Sequence, residues 1–306
     1  MEGNNKKNEL NHDKWAGTTY GSGWMHRWLI QSLRIIDVRL LYIFTFIFVL
    51  PPTMIVNSKA TKAIYRFYRK GMAYGRLKAA WMAYKNHCAF SQVVIDRFAM
   101  YAGKRFNLTV DGYEEFVRLC RQPDGFIQLS SHIGNYELAG YSLKAKEKRF
   151  NAIVFGGEKE SVMDNRNKMF EENNIRMIPM KADMSHLFVI NQAISDGEIL
   201  SMPADRIFGS QKYFALDFLG HTARFPMGPF QLGAAKDAEM LFVAVMKTGA
   251  KKYMVTVRRL DSPKGNSTRE KALDLAHQYA DMLEKTVRKH PAQWYNYFDF
   301  WAENVL

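Results

Sequence analysis

From about residue 106 to residue 289, short apolar runs alternate with segments whose apolar residues recur at helical spacing. The runs are nearly continuous in Val, Ile, Leu, Phe and Met, which is typical of strands buried on both faces of a sheet. Strands are predicted at 106–110, 125–131, 151–155, 176–180, 198–203, 213–219, 239–246 and 253–260. Helices are predicted near 112–121, 135–147, 161–173, 184–196, 227–236 and 267–289. This order predicts an α/β fold in which helices cover both faces of the sheet.

The second constraint is the run Leu40–Val56, LLYIFTFIFVLPPTMIV, which contains no charged residue. Its length is near the lower limit for a transmembrane helix, which needs about 20 residues, and Pro51–Pro52 would bend or end a helix. Lys and Arg flank the run on both sides, so the charges indicate no orientation. A buried core helix is the alternative, but abundant Phe with basic flanks favours a membrane anchor, whether spanning or only inserted. We predict a polar segment at 1–23, a membrane-anchor helix at 24–57 and the main domain at 58–306.

The charge balance favours an anionic partner. Lys and Arg number 43 against 30 Asp and Glu, a formal net charge of +13, which suits nucleic acid, a membrane surface or an acidic protein. Residues 58–103 are predicted to be helical and mix cations with aromatic residues. Because they follow the anchor, we expect these cations to face lipid headgroups rather than nucleic acid. Cys88 and Cys120 lie far apart, which argues against a disulfide scaffold and a zinc ribbon and favours a reducing compartment.

His132 and Glu137 lie in the stretch Ser130–Gly140, SSHIGNYELAG, where a predicted strand ends. At this spacing, two side chains diverge by roughly 140° on a helix and lie on opposite faces of a strand. They meet only if the chain between them bends, and Gly134 and Asn135 are residues that favour turns. Such a strand–turn–helix bend would bring imidazole and carboxylate together at the carboxyl end of a strand, where open α/β sheets bind ligands.

A histidine held by a carboxylate has a definite chemical use. The carboxylate accepts a hydrogen bond from one ring nitrogen, fixes the tautomer and leaves the other nitrogen as a base. That base would deprotonate a hydroxyl or amine as it attacks an activated acyl carbon. The alternative is that Glu137 only complements the dipole of a helix start and that His132 is a core residue. The strand–Gly–Asn–helix context favours a site.

The stretch SSHIGNYE resembles the H-x-x-x-x-D/E motif of the glycerolipid and lysophospholipid acyltransferase superfamily. Its H-x-G-N-aromatic-E form is most similar to the bacterial lipid A late acyltransferase branch. The resemblance covers about residues 24–260 and implies a mixed sheet flanked by helices, with an N-terminal membrane-anchor helix. It implies that His132 is the general base, that Glu137 orients it, and that Gly134 and Asn135 belong to the substrate-binding turn.

Residues 200–245, which begin LSMPADRIFG, resemble a second region of that family. There an apolar strand ends in an aspartate and is followed by a Phe-Leu-Gly turn, a Gly-Pro-Phe helix start and another apolar strand. The resemblance places Asp205 at this aspartate and adds Arg206 and Arg224 as substrate-binding candidates. Arg206 would contact a phosphate or a thioester carrier, or it is a surface cation. Arg224 and Gly228 would shape the acyl pocket, and a loop cap is the alternative role for Asp205.

The segment 290–301, HPAQWYNYFDFW, departs from the family pattern. Lipid A enzymes usually end in Pro-x-x-aromatic-Trp followed by His and Arg. Pro291 and Trp294 fit this pattern, but Asn296 and Asp299 replace the basic pair, which leaves the acceptor open. The arginine that the family carries between its two regions has two candidates, Arg166 and Arg176.

The resemblance implies an acyltransferase that moves a fatty acyl chain from acyl-acyl carrier protein or acyl-CoA to a lipid hydroxyl. Lipid A or its precursor is the first acceptor, and a lysophospholipid, an aminolipid or a polyene-type lipid is the alternative. No cofactor or metal is implied, because the thioester is already activated. Acyl carrier protein is acidic and suits a basic cluster that is otherwise a solvated helix end, Lys144, Lys146, Lys148 and Arg149. The expected location is the cytoplasmic face of the inner membrane, with an anionic membrane surface and no nucleic acid as partner.

Two other classes of function fit less well. A serine hydrolase of α/β type would carry a G-x-S-x-G nucleophile elbow, which the sequence lacks. A non-enzymatic binder of nucleic acid or anionic membrane would rest on charge alone. It would leave the turn around His132 without a use.

Overall fold

The computed structural model describes residues 23–143, 147–155, 174–180, 183–207 and 212–301. Strands within them are β1 Asn107–Asp111, β2 Phe126–Ser130, β3 Phe150–Phe155, β4 Ile175–Met180, β5 Ile199–Pro203, β6 Tyr213–Phe218, β7 His221–Pro226, β8 Met240–Gly249 and β9 Lys252–Arg259. A seven-stranded sheet has the order β1-β9-β8-β2-β5-β3-β4. Only the β8–β9 pair in it is antiparallel, so the sheet is mixed, as expected.

Helices precede the sheet in the chain and then alternate with its strands. They are α1 Gly23–Ile35, α2 Val38–Phe44, α3 Leu50–Val56, α4 Ser58–Lys70, α5 Arg76–Tyr101, α6 Tyr113–Cys120, α7 Glu137–Ser142, α8 His186–Ser195, α9 Gly228–Lys236 and α10 Thr268–Lys289. The capping box at Ser267 and Glu270 marks the start of α10, because each side chain accepts from the backbone of the other residue.

Strand β8 explains why both faces of the sheet are covered. Its odd-numbered residues from Leu241 to Val245 pack in one apolar cluster with α6 and α7. Its even-numbered residues from Phe242 to Met246 pack in another with α8, α9 and α10. Because successive side chains of a strand point to opposite faces of the sheet, a continuous apolar run contributes residues to both clusters. The predicted α/β sheet with helices on both faces is confirmed.

The strands β6 and β7 form a separate antiparallel hairpin rather than part of the main sheet. β6 matches the predicted strand 213–219, but β7 is absent from the predictions because its sequence HTARFP has no continuous apolar run. The predicted helix 161–173 lies outside the described residues, as do residues 1–22 of the predicted polar segment 1–23.

The segment predicted as one anchor helix over 24–57 is divided into several helices. Asp37 ends the gap after α1 and caps α2, where its side chain accepts from the N–H of Arg39 at 2.9 Å. A π turn, Thr45–Val49, joins α2 to α3. The wider turn accommodates Pro51 and Pro52, which cannot donate to a regular helical ladder. Val38–Val56 is thereby one helix that is long and apolar enough to cross a membrane.

Candidate active site

The candidate active site lies where β2, the central strand, and its parallel neighbour β5 end. Ser130 of β2 is in register with Pro203 of β5. The N–H of Ala204 donates to the carbonyl of Ser130 at 3.0 Å, which keeps the two chains paired beyond the strands. His132 and Asp205 each follow their strand by two residues, so the register brings them together at the carboxyl edge of the sheet.

The carboxylate of Asp205 holds His132 at two points. Nδ1 of the imidazole lies 2.8 Å from Oδ1, and the backbone N–H of His132 donates to Oδ2 at 2.9 Å. The indole N–H of Trp294 also points to Oδ2, at 3.4 Å. Because a carboxylate only accepts, Nδ1 carries the proton and Nε2 carries the lone pair. The side chain of Asp205 is fully buried, whereas that of His132 is 24% exposed.

The surroundings favour neutral imidazole. Burial lowers the pKa of His132 from its ordinary value, and the nearby positive charge of Arg206 lowers it further, against the opposing effect of Asp205. Burial alone would raise the pKa of Asp205, but the charges of His132 and Arg206 and the hydrogen bonds from His132 hold it below its ordinary value. At neutral pH the pair is therefore an ionised carboxylate and an unprotonated base.

The structure corrects the predicted pairing of His132 with Glu137. The chain does bend at Gly134, but the bend turns Glu137 toward α5, where its Oε2 lies 3.0 Å from Nε of Arg97. Both side chains of this ion pair are largely buried, at 12% and 5% exposure. Glu137 is the first residue of α7, so the pair ties the start of that helix to α5. The carboxylate that orients the imidazole comes from Asp205 instead.

Gly134 and Asn135 shape the turn and are enclosed by protein. Gly134 has φ +59°, and a Cβ atom there would lie 1.9 Å from the carbonyl oxygen of Val245. Its N–H donates to the carbonyl of Gln293 at 2.7 Å, and the N–H of Asn135 donates to that of Val245 at 2.8 Å. Asn135 is 1% exposed. Both residues are buried in the turn, and their predicted role in substrate binding stays a prediction.

The C-terminal segment builds one wall of the site. Trp294 pairs antiparallel with Ile133, and the N–H of Tyr295 donates to the carbonyl of His132 at 2.9 Å. The side chain of Gln293 bridges to β8, accepting from the N–H of Lys247 and donating to its carbonyl, both at 2.9 Å. The sequence indicated this segment only as a departure from a family pattern. The match of Pro291 and Trp294 to that pattern is the signal that could have placed the segment near His132.

Arg206 is bonded to that same segment. Its Nε donates to Oδ1 of Asn296 at 2.8 Å, its second arm donates to the carbonyl of Tyr295, and its guanidinium lies 5.4 Å from the ring centre of Phe298. Asn296 is 1% exposed. Arg206 thus connects β5 to the C-terminal segment beside the His132–Asp205 pair.

Other predicted residues have contacts outside the His132–Asp205 pair or are exposed. Arg224 is on the β6–β7 hairpin, 4.7 Å from the ring centre of Tyr213. Arg176 is on β4, where its Nε donates to Asn151 at 2.8 Å. Lys148 is buried, and its ammonium donates to backbone carbonyls such as that of Asp124 at 2.8 Å, so it is no surface cation. Arg149 is exposed, and Lys144, Lys146 and Arg166 lie outside the described residues.

The sequence profile described as bacterial lipid A biosynthesis acyltransferase matches residues 93–301. This range is more than half of the chain and contains both members of the His132–Asp205 pair. The chain belongs to the bacterial lipid A biosynthesis acyltransferase family. It is therefore an acyltransferase that acts on lipids, and the family match confirms the resemblance seen in the sequence.

Two further comparisons add less. No curated protein matches the sequence significantly. Among solved structures, the chain is similar to the 1-acyl-sn-glycerophosphate (LPA) acyltransferase from Thermotoga maritima, with 13% sequence identity, a TM-score of 0.40, and coverage of 89% of this chain and 100% of that chain. Because both the identity and the TM-score are low, no conclusion about this chain is drawn from the structural similarity.

Proposed function

We propose that this acyltransferase moves a fatty acyl chain from an acyl-carrier thioester to a hydroxyl group of lipid A or its precursor. His132 is the general base, and Asp205 orients it. The donor is acyl-acyl carrier protein or acyl-CoA, and no cofactor takes part. The protein works at the cytoplasmic face of the inner membrane.

The observation that carries this proposal is the imidazole of His132. Its Nδ1 is held by a buried carboxylate at 2.8 Å, and its side chain is partly exposed. The tautomer leaves the lone pair of Nε2 for a substrate proton. The lowered pKa keeps that lone pair unprotonated at neutral pH. No protein nucleophile is required, because the acceptor brings its own hydroxyl.

In the proposed reaction, His132 carries one proton from the acceptor hydroxyl to the leaving thiolate. The acceptor hydroxyl gives its proton to Nε2 as its oxygen forms a bond to the thioester carbonyl carbon. The carbon–sulfur bond then breaks, and the leaving thiolate takes the proton from the imidazolium. Asp205 stays ionised throughout and stabilises the transient positive charge on the ring. An ester on the lipid and a free thiol on the carrier are the products.

Arg206, which was predicted to bind substrate, and Glu137, which was predicted to orient His132, both have positioning roles in this proposal. Arg206 holds the C-terminal segment against the site through Asn296. The Glu137–Arg97 pair holds the start of α7 and therefore the turn on which His132 lies. A positioned base needs such support, because a misplacement of about 1 Å costs roughly a hundredfold in rate.

A different acceptor is the second candidate, and one observation favours it. The residue that lies beside the site and bonds to Arg206 is the neutral amide of Asn296, where the family resemblance leads us to expect a basic residue. A basic residue there would suit the phosphates of lipid A. A lysophospholipid, an aminolipid or a polyene-type lipid remains the alternative acceptor of the same chemistry.

Lipid mass spectrometry tests the proposal directly. A strain without the gene is compared with strains that carry the unsubstituted chain, His132→Ala, or His277→Ala, which changes an exposed histidine of α10. One lipid class is expected to lack an acyl group in the deletion strain and in the His132→Ala strain, and to regain it in the other two. An unchanged lipid A fraction with a changed phospholipid fraction would select the alternative acceptor. No change in any lipid class would refute the acyl-transfer assignment.

A further inference from the structure

The helix Val38–Val56 has one apolar side on the protein and another that nothing in the described chain covers. Val38, Tyr42 and Leu50 are buried, at a spacing that places them on one stripe. The opposite stripe is exposed and consists of Leu40, Ile43, Phe44, Ile47 and Phe48. The helix therefore lies lengthwise on the protein rather than projecting from it.

The start of this helix is bonded to the body of the protein. Asp37 pairs with Lys251 at 2.8 Å, in the turn between β8 and β9. The hydroxyl of Tyr42 donates to the buried carboxylate of Asp96 on α5, which also pairs with Lys247 of β8. One helical turn later, the hydroxyl of Tyr84 on α5 donates to the carbonyl of Phe46 at 3.0 Å.

The chain after the helix returns to the same body. Helix α4 buries Ile64, Phe67 and Tyr68, and the ring centre of Phe67 lies 5.0 Å from that of Trp294 beside the active site. The hydroxyl of Tyr68 donates to the carbonyl of Pro291 at 2.8 Å. The residues before and after the apolar helix thus contact one and the same folded unit.

We infer that the helix Val38–Val56 lies in one leaflet of the membrane and does not cross it. A single crossing would put the two flanks on opposite sides of the bilayer, whereas both are packed on one body. Only the six residues after Leu50 extend beyond the buried stripe, and at 1.5 Å per residue they are about 9 Å long. This length is too short to cross a hydrocarbon core that is about 30 Å thick. The inference rests on the membrane association included in the proposed function.

The lipid surface is the occupant that fits this exposed stripe. Trp81 of α5 stacks on Tyr84, which bonds to the helix, and it is itself 58% exposed. Helix α4 follows directly, and its outer face carries the exposed cations Lys59, Lys62, Arg66, Arg69 and Lys70. An apolar stripe next to a cationic face matches acyl chains beside anionic headgroups.

Cysteine labelling in cells distinguishes the two topologies. Arg34→Cys and Ser58→Cys place one exposed thiol on each side of the helix, and the unsubstituted chain, with its two native cysteines, gives the background. A membrane-impermeant maleimide is applied to intact spheroplasts and to permeabilised ones. We expect both thiols to show the same sidedness. Labelling of one thiol in intact spheroplasts and of the other only after permeabilisation would overturn the inference, and neither result depends on acyl transfer.

Two further measurements fix the depth and the headgroup. A nitroxide on Phe48→Cys is expected within one leaflet, less than about 15 Å below the phosphates, and a position beyond the bilayer centre would contradict the inference. Lys62→Glu is expected to weaken binding to phosphatidylglycerol vesicles by about 5-fold to 30-fold. Lys264→Glu, the same charge change at an exposed loop residue, is the matched control. Equal losses in both variants would refute the role of α4.

Discussion

Replacing Asp205 by asparagine tests how the imidazole is held. In the structure, Oδ2 accepts from two donors that cannot reverse, the backbone N–H of His132 at 2.9 Å and the indole N–H of Trp294 at 3.4 Å. The amide oxygen of Asp205→Asn therefore takes the Oδ2 position, and its NH₂ group faces Nδ1 of His132. A donor at that position forces Nδ1 to accept, so the ring proton moves to Nε2. The base is then blocked at the atom that meets the substrate.

The expected loss follows from that change of tautomer. General-base catalysis contributes about 10²–10⁴ in rate, and an aspartate-to-asparagine change behind a catalytic histidine in serine proteases costs about 10⁴. We expect kcat of Asp205→Asn to fall by about 10²–10⁴ with little change in KM, because the pair is proposed to act on the proton rather than to bind the acyl chain. The double variant His132→Ala/Asp205→Asn should be no slower than His132→Ala alone.

Glu137→Gln is the matched control for this prediction. It removes the same charge from another buried carboxylate, one that pairs with Arg97 rather than with the imidazole. Steady-state acyl transfer is measured against pH for both variants in mixed micelles. We expect Glu137→Gln to keep the kinetic pKa of the unsubstituted enzyme, whatever its rate. A shifted pKa in Glu137→Gln together with an undiminished rate in Asp205→Asn would refute the assignment of Asp205.

Three other predictions concern pH, the turn and a buried ion pair. Activity should be lost as the pH falls through a kinetic pKa that lies below the ordinary value of histidine, because burial lowers the pKa of His132 and only the neutral ring is a base. A pH–rate profile of kcat/KM checks this. Gly134→Ala should cost roughly 1–3 kcal/mol for the left-handed backbone alone, with the clash at Val245 adding to it and lowering the rate, whereas Gly75→Ala, with nothing within 4 Å, should be near neutral in thermal melts. Lys247→Met should cost about 3–5 kcal/mol because it leaves the carboxylate of its partner buried without a counter-charge, whereas Lys251→Met removes a half-exposed pair and should cost less than about 1 kcal/mol in the same melts.

Most strands of the sheet could be predicted from the sequence, because a run of apolar residues indicates a buried strand. The strands β2 and β8 are buried on both faces along most of their length, and their sequences are mainly apolar. The hairpin strand β7 escaped prediction because it mixes His and Arg with its apolar residues. Asp37 is an N-cap residue and therefore indicates that a helix begins at α2. This boundary was missed because the residues that follow it are strongly apolar and were read as part of one long helix.

Of the two residues that form the pair, the sequence identified His132 as the base but did not identify Asp205 as its partner. His132 was identified because its turn residues are local in sequence. Asp205 could not be assigned to it, because the order of strands in the sheet is a long-range property that places β5 beside β2 with two strands intervening in the chain. Once these strands are known to be parallel neighbours, the equal offset of both residues from their strand ends gives the pairing. The sequence suggested Glu137 instead because a short spacing is easier to recognise than a shared register.

The most direct test of the account is acyl transfer by purified protein in vesicles. Radiolabelled acyl-acyl carrier protein, or acyl-CoA in a parallel reaction, is mixed with a total membrane lipid extract and with the unsubstituted chain, His132→Ala or His277→Ala. We expect a labelled lipid ester whose rate of formation falls by about 10²–10⁴ in His132→Ala and is unchanged in His277→Ala. Formation of the same ester by His132→Ala at the unsubstituted rate would contradict the claim that His132 is the base.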